Sequence, residues 1–392
     1  MLPLDGMTVV ALEQAIAAPF ATRQLADLGA RVIKIERPGV GDFARGYDTA
    51  VNGLSSHFVW TNRSKQSLTL DLKHPEALAI VHRLLESADV FIQNLAPGAT
   101  DRLGLGAAAL RQRYPRLVVC GISGYGTSGS YRDQKAYDLL VQAEAGVIAV
   151  TGAEDAPAKV GVSIADIASG MYAYSGILSA LLRRERTGEG AAIEVSMLEA
   201  LGEWMGFPAY YTKYSGAPPP RSGASHATIA PYGPFPTGDG RTVYLGIQNE
   251  REWARFCDVV LGQAGLAADP RFTGNPLRVQ HLADLRQAIE SVFATLTYDA
   301  VVDRLEAAQI AHAQQRTVLE FTDHPQLAER GRNVTVGSPA GPLWALLPPV
   351  DMVGETPVMG PIPAVGEHTD AILRELGYGG AEIARLRDEK VI

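Results

Sequence analysis

The sequence predicts an α/β protein with a mostly parallel sheet, joined to a second, smaller domain. Three observations point there. Strand-like and helix-like runs alternate through the first 120 residues at the spacing of β-α-β units. A run of three prolines among Gly, Ser and Arg at 214–225 reads as a linker. At 392 residues the chain is longer than one hydrophobic core usually serves, so length alone favours two or more domains.

The elements follow in order. Thr8 to Glu13 is a strand-like run, and Pro19 sits where a helix can begin. Phe20, Leu25 and Leu28 recur at near-helical spacing, Gly29 stops the helix, and Arg31 to Glu36 is a second strand. Gln66 to Leu72 reads as a strand, Pro75 to Ser87 as a helix and Val90 to Ile92 as a strand. Leu103 to Tyr114 is largely helical, and Leu117 to Cys120 is another strand. Beyond Asp138 the pattern turns helical, over Leu139 to Val150 and Asp166 to Arg186. Asp166 is placed to cap the second of these, and Arg186-Thr187-Gly188 to end it. Ala192 to Val195 is a strand, followed by a helix through Trp204. Past the linker come a strand at Thr242 to Ile247 and several helices between Glu250 and Ala308. From Gly331 onward, Gly/Pro-rich turns surround strand-like pieces, with a last helix near Thr369 to Leu376. The expected division is 1–213, linker 214–225, small domain 226–330, and a strand-rich tail 331–392, which the resemblance described below makes a return segment of the large domain.

Hydrophobic residues make up 46% and charged residues 20%, which excludes disorder. A net charge of -8 argues against nucleic acid, so an anionic ligand must find a local group of Lys and Arg. The two cysteines, Cys120 and Cys257, lie in unrelated contexts and read as small buried hydrophobes rather than a disulfide or metal pair. The N-terminal residues lack the basic and apolar regions of a signal peptide, and no apolar run reaches the roughly 20 residues a membrane helix needs. A cytoplasmic protein without a membrane partner is expected.

Several chemistries drop out. Dinucleotide binding needs a Gly-rich turn after the first strand, but Gln14 to Pro19 contains no glycine. Neither GxxxxGK[ST] nor GxSxG occurs, and the eight histidines show no HExxH or paired ligand spacing, so no metal is expected. What remains is a set of polar and cationic residues, Arg37, Lys65, Asn94 and Arg102, each just after a predicted strand or at the next turn. Ligands of open α/β sheets gather there, and such a cluster suits phosphates. Taken singly, each cation is more commonly a solvated surface charge.

The ordered segments Leu28-Gly29-Ala30-Arg31-Val32-Ile33-Lys34-Ile35-Glu36-Arg37-Pro38-Gly39, Asn62-Arg63-Ser64-Lys65-Gln66-Ser67, Asn94-Leu95-Ala96-Pro97-Gly98 with Arg102-Leu103-Gly104, and Gly121-Ile122-Ser123-Gly124-Tyr125-Gly126 carry a resemblance. Tyr137-Asp138 with Gln142-Ala143, Arg186-Thr187-Gly188-Glu189-Gly190 and Gly366-Glu367-His368-Thr369 extend it along nearly the whole chain. Together they resemble the family III CoA-transferases, the group of formyl-CoA transferase and the carnitine CoA-transferase of the CaiB/BaiF type. The resemblance implies a Rossmann-like large domain built from both ends of the chain, a smaller α+β domain, and an interlocked-ring homodimer. It implies Asp138 as a covalent nucleophile that moves CoA from an acyl-CoA to a free carboxylic acid, with no permanently bound cofactor. It also implies that Ile16, Arg37, Lys65, Asn94, Leu95, Arg102, Tyr125 and Tyr137 line the CoA site.

Without the resemblance, Asp138 reads as the N-cap of the following helix. Two other readings of the same fold stay open. An α-methylacyl-CoA racemase uses a histidine before the aspartate, where this chain has Tyr137, although Asp166 matches the racemase's second aspartate. The other is a non-catalytic acyl-CoA-binding protein. The segment Arg221 to Ala227 has a single glycine where formyl-CoA transferase has a run, which argues against a formyl/oxalate enzyme. The sequence resembles instead the branch using succinyl-CoA and short dicarboxylates, with Lys135, Arg221 and His226 as candidate substrate residues. Backbone N–H groups of Gly124 to Gly129 are candidate oxyanion donors.

Overall fold

The computed structural model describes all 392 residues. Two compact units emerge, one of residues 1–145, 160–206 and 327–392, the other of 146–159 and 207–326. The chain thus enters the second unit twice. Residues 214–225, expected as a linker, lie inside that unit.

The first unit opens with β1 (Thr8–Leu12), α1 (Ala17–Asp27), β2 (Arg31–Glu36), α2 (Ser56–Asn62), β3 (Lys65–Thr69), α3 (Pro75–Leu85) and β4 (Val90–Gln93). Next come α4 (Ala99–Arg102), α5 (Ala107–Arg113), β5 (Val118–Ser123) and α6 (Asp138–Glu144). α7 (Val147–Val150) belongs to the second unit, and α8 (Ile164–Thr187), β6 (Ala192–Ser196) and α9 (Met197–Trp204) return to the first. The six strands form one parallel sheet in the order β3-β2-β1-β4-β5-β6. Parallel neighbours need crossover helices that cover both faces, which is why Val9 to Leu12 and Val90 to Ile92 are unbroken apolar runs. The order reverses between β1 and β4, so the loops after these two strands diverge and leave a crevice.

The helix expected over 139–150 is two. Gly146 takes φ 79° and ends α6, a conformation that a residue with a Cβ adopts at a cost. Asp166 does not cap α8: Ser163 precedes the helix and Asp166 is its third residue.

In the second unit, α10 (Gly206–Ser215) leads to an antiparallel sheet of β7 (Tyr232–Pro236), β8 (Thr242–Gly246) and β9 (Ala311–Gln314). The sequence hid β7, because Pro234 and Pro236 interrupt it. Both are tolerated because β7 is an edge strand. Helices α11 (Glu250–Arg255), α12 (Asn275–Gln280), α13 (Leu282–Phe293) and α14 (Tyr298–Ala307) accompany this sheet. Phe235, Trp253, Phe256, Phe272 and Phe293 build their own core there.

Short α15 (Val318–Thr322) and α16 (Pro325–Glu329) precede the hairpin of β10 (Asn333–Val336) and β11 (Leu343–Leu346). The chain ends in α17 (Thr369–Glu375) and α18 (Gly380–Asp388). Ile372, Leu373, Ile383 and Leu386 pack with Val10, Ile33, Leu68 and Phe91, so the C-terminus completes the core of the parallel sheet. Cys120 and Cys257 are both buried. No helix is long and apolar enough to cross a membrane.

Candidate active site

A cleft of about 680 Å³ opens at the carboxyl ends of the parallel strands. Its wall takes Gln14 to Ala17 from the turn after β1, Arg37 from after β2, Asn94 to Pro97 from after β4 and Ile122 to Gly124 from β5. The loop 134–139 and Asp166 close it. Gly124 is required for this: a Cβ there would stand 2.2 Å from the Cβ of Ala136, which rides on it. A second hollow of about 530 Å³ in the same unit is lined by three carboxylates. All are in ion pairs, Asp27 with Arg63, Asp351 with Arg332 and Glu355 with the N-terminus, which leaves no free nucleophile.

The turn after β1 does without glycine because side chains hold its backbone. Asn94 accepts from the Gln14 N–H at 2.9 Å and donates its amide to the Gln14 carbonyl at 2.8 Å, clasping the two loops that diverge at the crevice. Ala15 takes φ 60° and donates its N–H to Asp42. Beneath the turn, Lys34 pairs with Asp42 at 2.8 Å and Glu13 at 3.3 Å. Lys65 donates to Glu13 (2.7 Å), the Pro19 carbonyl (3.0 Å) and Asn62 (3.1 Å), so all three ammonium protons are placed. Burial works against the Glu13 charge, yet Lys65 and Lys34 hold its pKa below the usual range.

Asp138 is the first residue of α6 and faces the cleft. Its Oδ2 accepts from Gln142 Nε2 at 2.7 Å, one helical turn on. Its Oδ1 accepts from the N–H groups of Ala165 at 2.8 Å and Asp166 at 3.4 Å, in the first turn of α8. Those N–H groups have no partner within their helix, so the carboxylate of Asp138 stands in for the cap that Ser163 does not provide. Gln142 is itself locked, since its Oε1 accepts from the Val160 N–H at 2.9 Å. Both oxygens of a solvent-reachable carboxylate are therefore oriented by donors fixed elsewhere. Nearby Asp166 is pushed up to about 7, by burial first and by the charge of Asp138 second.

Residues 4–369 match the family described as CoA-transferase family III. The chain belongs to CoA-transferase family III. It is similar to the succinate–glutarate CoA-transferase of Agrobacterium fabrum, at 34% identity over 95% of this chain and 96% of that protein. An acetyl-CoA:oxalate CoA-transferase of Acetobacter aceti is 36% identical over 86% of each. Among solved structures, a CAIB/BAIF family protein from Brucella suis superposes with a TM-score of 0.83 at 32% identity, covering 96% of this chain and 99% of that one. The racemase reading is not favoured.

In this CoA-transferase, Ile16, Arg37, Asn94, Leu95, Lys135 and Tyr137 share the cleft wall with Asp138. Lys65 departs from expectation: its side chain points into the sheet and is consumed by Glu13, so it supports the turn after β1 instead of meeting a ligand. Arg102 is exposed on α4 and is not part of the wall. Tyr125 is absent from the wall too, packing edge-on against Tyr131 at 5.5 Å. Arg221 and His226 lie in the second unit. There Arg221 binds the carbonyls of Ala149, Ala153 and Glu154, and His226 stacks on Tyr232 at 5.3 Å. Gly126 donates its N–H to Ser123, whereas the backbone donors that reach Asp138 come from α8. Sequence reasoning did not single out the hydrogen bonds of Gln142 and Ala165 to Asp138, nor His57, which also lines the cleft. The i, i+4 spacing of Asp138 and Gln142 was the one available signal; Ala165 contributes only backbone.

Proposed function

We propose that this CoA-transferase moves CoA from succinyl-CoA to a free short dicarboxylic acid, with Asp138 as covalent nucleophile. An Asp138 oxygen attacks the thioester carbonyl, forming a mixed anhydride and expelling CoA thiolate. The thiolate attacks Asp138 Cγ, giving an aspartyl-CoA thioester, and the donor acid leaves with the bridging oxygen. The acceptor carboxylate attacks the same Cγ, releasing thiolate. The thiolate then takes the acceptor's acyl group and regenerates the carboxylate. Splitting the exchange into acyl transfers lowers each barrier.

The observation that carries this reading is the carboxylate of Asp138, open to the cleft while Gln142 and Ala165 donate to its two oxygens. Each attack on Cγ builds an oxyanion on an oxygen already facing a donor. Arg37 suits a CoA phosphate, and Ile16, Asn94, Leu95 and Tyr137 shape the path of the rest. Glutarate and oxalate, named for the two relatives, are both dicarboxylates. The single glycine at 221–227 favours acids longer than oxalate. A cytoplasmic homodimer completes the proposal. Its dimeric part is supported by the exposed aromatic stripe of Phe207, Tyr210, Tyr211 and Tyr214 on α10, which is unusual on a free surface.

A panel of free acids offered with succinyl-CoA, read by product mass, tests the reading. CoA is expected to appear on glutarate and similar diacids, and substitution of Asp138 by Ala is expected to abolish transfer. Absence of transfer to every dicarboxylate contradicts the substrate class.

A further inference from the structure

We propose that His57 binds the distal carboxylate of the substrate acid, both in the donor acyl-CoA and in the free acceptor. The inference rests on the reading of Asp138 given above and names the group that holds the other end of the acid.

His57 is the second residue of α2 and lines the same cleft as Asp138. Its ring is fixed from two sides. Nδ1 lies 3.3 Å from Asp48 Oδ2, and Tyr47 meets the ring edge-on at 5.3 Å. Asp48 cannot swing away, because its Oδ1 accepts from the N–H groups of Ala50 at 2.9 Å and Ser56 at 3.0 Å. Its Oδ2 accepts from the Ser56 hydroxyl at 2.7 Å. The Ser56 and Ala50 N–H groups hold the Asp48 carboxyl well below its ordinary range, so it stays charged. A ring oriented by a carboxylate on one nitrogen presents the other outward. Here that nitrogen, Nε2, has no partner in the protein, and the ring is half-exposed.

A carboxylate at Nε2 completes the ring's hydrogen bonding when both ring nitrogens carry protons, Asp48 and the ligand each accepting one N–H bond. Tyr47 links this end of the cleft to the nucleophile. It touches His57, and burial together with the charges of Asp42 and Asp166 pushes its hydroxyl up to about 12. Asp166, in turn, donates its N–H to Asp138. Arg37 and Lys135 share the wall but are exposed, and their side chains make no hydrogen bond or ion pair, which fits a mobile phosphate better than an acid of defined length. Because the two halves of the exchange run in opposite directions at one Cγ, donor and acceptor present their distal groups to the same place.

The test compares acylation of the full-length protein by succinyl-CoA and by butyryl-CoA, which has the same chain length without the carboxylate. The readout is the rate of adduct formation on Asp138 by mass spectrometry. The native protein is expected to favour succinyl-CoA. His57→Gln is expected to lose roughly ten- to a hundredfold of that preference while butyryl-CoA reacts unchanged. Asp48→Asn, which removes the orienting charge, is expected to lose a smaller share in the same direction. A His57→Gln variant that keeps the preference, or that slows with both thioesters alike, overturns the role of His57 while the Asp138 adduct still forms. A native protein that forms no adduct with either thioester overturns the Asp138 reading and this inference with it.

Discussion

Gln142 shows how one buried amide can orient the carboxylate of the proposed nucleophile. Its oxygen is taken by the Val160 N–H, so its NH₂ can only face Asp138. Substituting Leu removes that donor and also the Gln142 oxygen that accepts from the Val160 N–H. We expect transfer to slow by about a hundredfold, as for loss of an oxyanion donor. Urea unfolding should show a cost of about 1–3 kcal/mol for the lost buried bonds. Asp166 adds a pH dependence. With its pKa raised to about 7, it holds a proton in the folded state that the unfolded chain has already lost. Its contribution to stability is present in acid and is lost as pH rises through 7. Ionisation there also sets a second negative charge beside Asp138, so the acceptor KM is expected to rise above pH 7. Asp166→Asn should flatten that rise, and a rise of equal size in the variant would rule Asp166 out as its source. Asp138 is singled out as the proposed nucleophile only through a chain-long resemblance, since an N-terminal Asp on a helix is usually a cap. Ala165 left no mark in the sequence, because a backbone N–H is common to nearly every residue.

At the scale of elements, the turn after β1 replaces glycine with a buried charge cluster. Glu13 sits between Lys34 and Lys65, and removing one partner leaves an uncompensated charge in the core. Lys65→Met is therefore expected to cost about 3–5 kcal/mol in chemical denaturation and to loosen the cleft wall at Gln14 to Ile16. A cost under about 1 kcal/mol would mean that the cluster does not hold this turn. The alternation of strands and helices was readable because parallel strands buried on both faces are unbroken apolar runs. The direction of Lys65 was not readable. It depends on the pairing of Lys65 with Val32 across β3 and β2, and a one-residue slip would turn it outward. The break at Gly146 escaped notice because apolar residues continue on both sides of it.

For the whole molecule, residues 327–392 belong to the first unit; a return segment at 331–392 was implied by the family resemblance, and the strand-rich tail by itself did not say where it packs. The early excursion of 146–159 was not legible, because nothing in its composition differs from an ordinary loop. The exposed aromatics of α10 lead us to expect sedimentation at twice the 41.8 kDa chain mass. A monomer at micromolar concentration would contradict the homodimer. The proposed transfer requires a covalent intermediate. The most direct measurement is to incubate the intact protein with succinyl-CoA and no acceptor, trap with hydroxylamine or borohydride, and map the modified peptide. Modification is expected at Asp138 and none in Asp138→Ala. A modification at another residue, or turnover with no trappable adduct, would contradict the proposed role of Asp138.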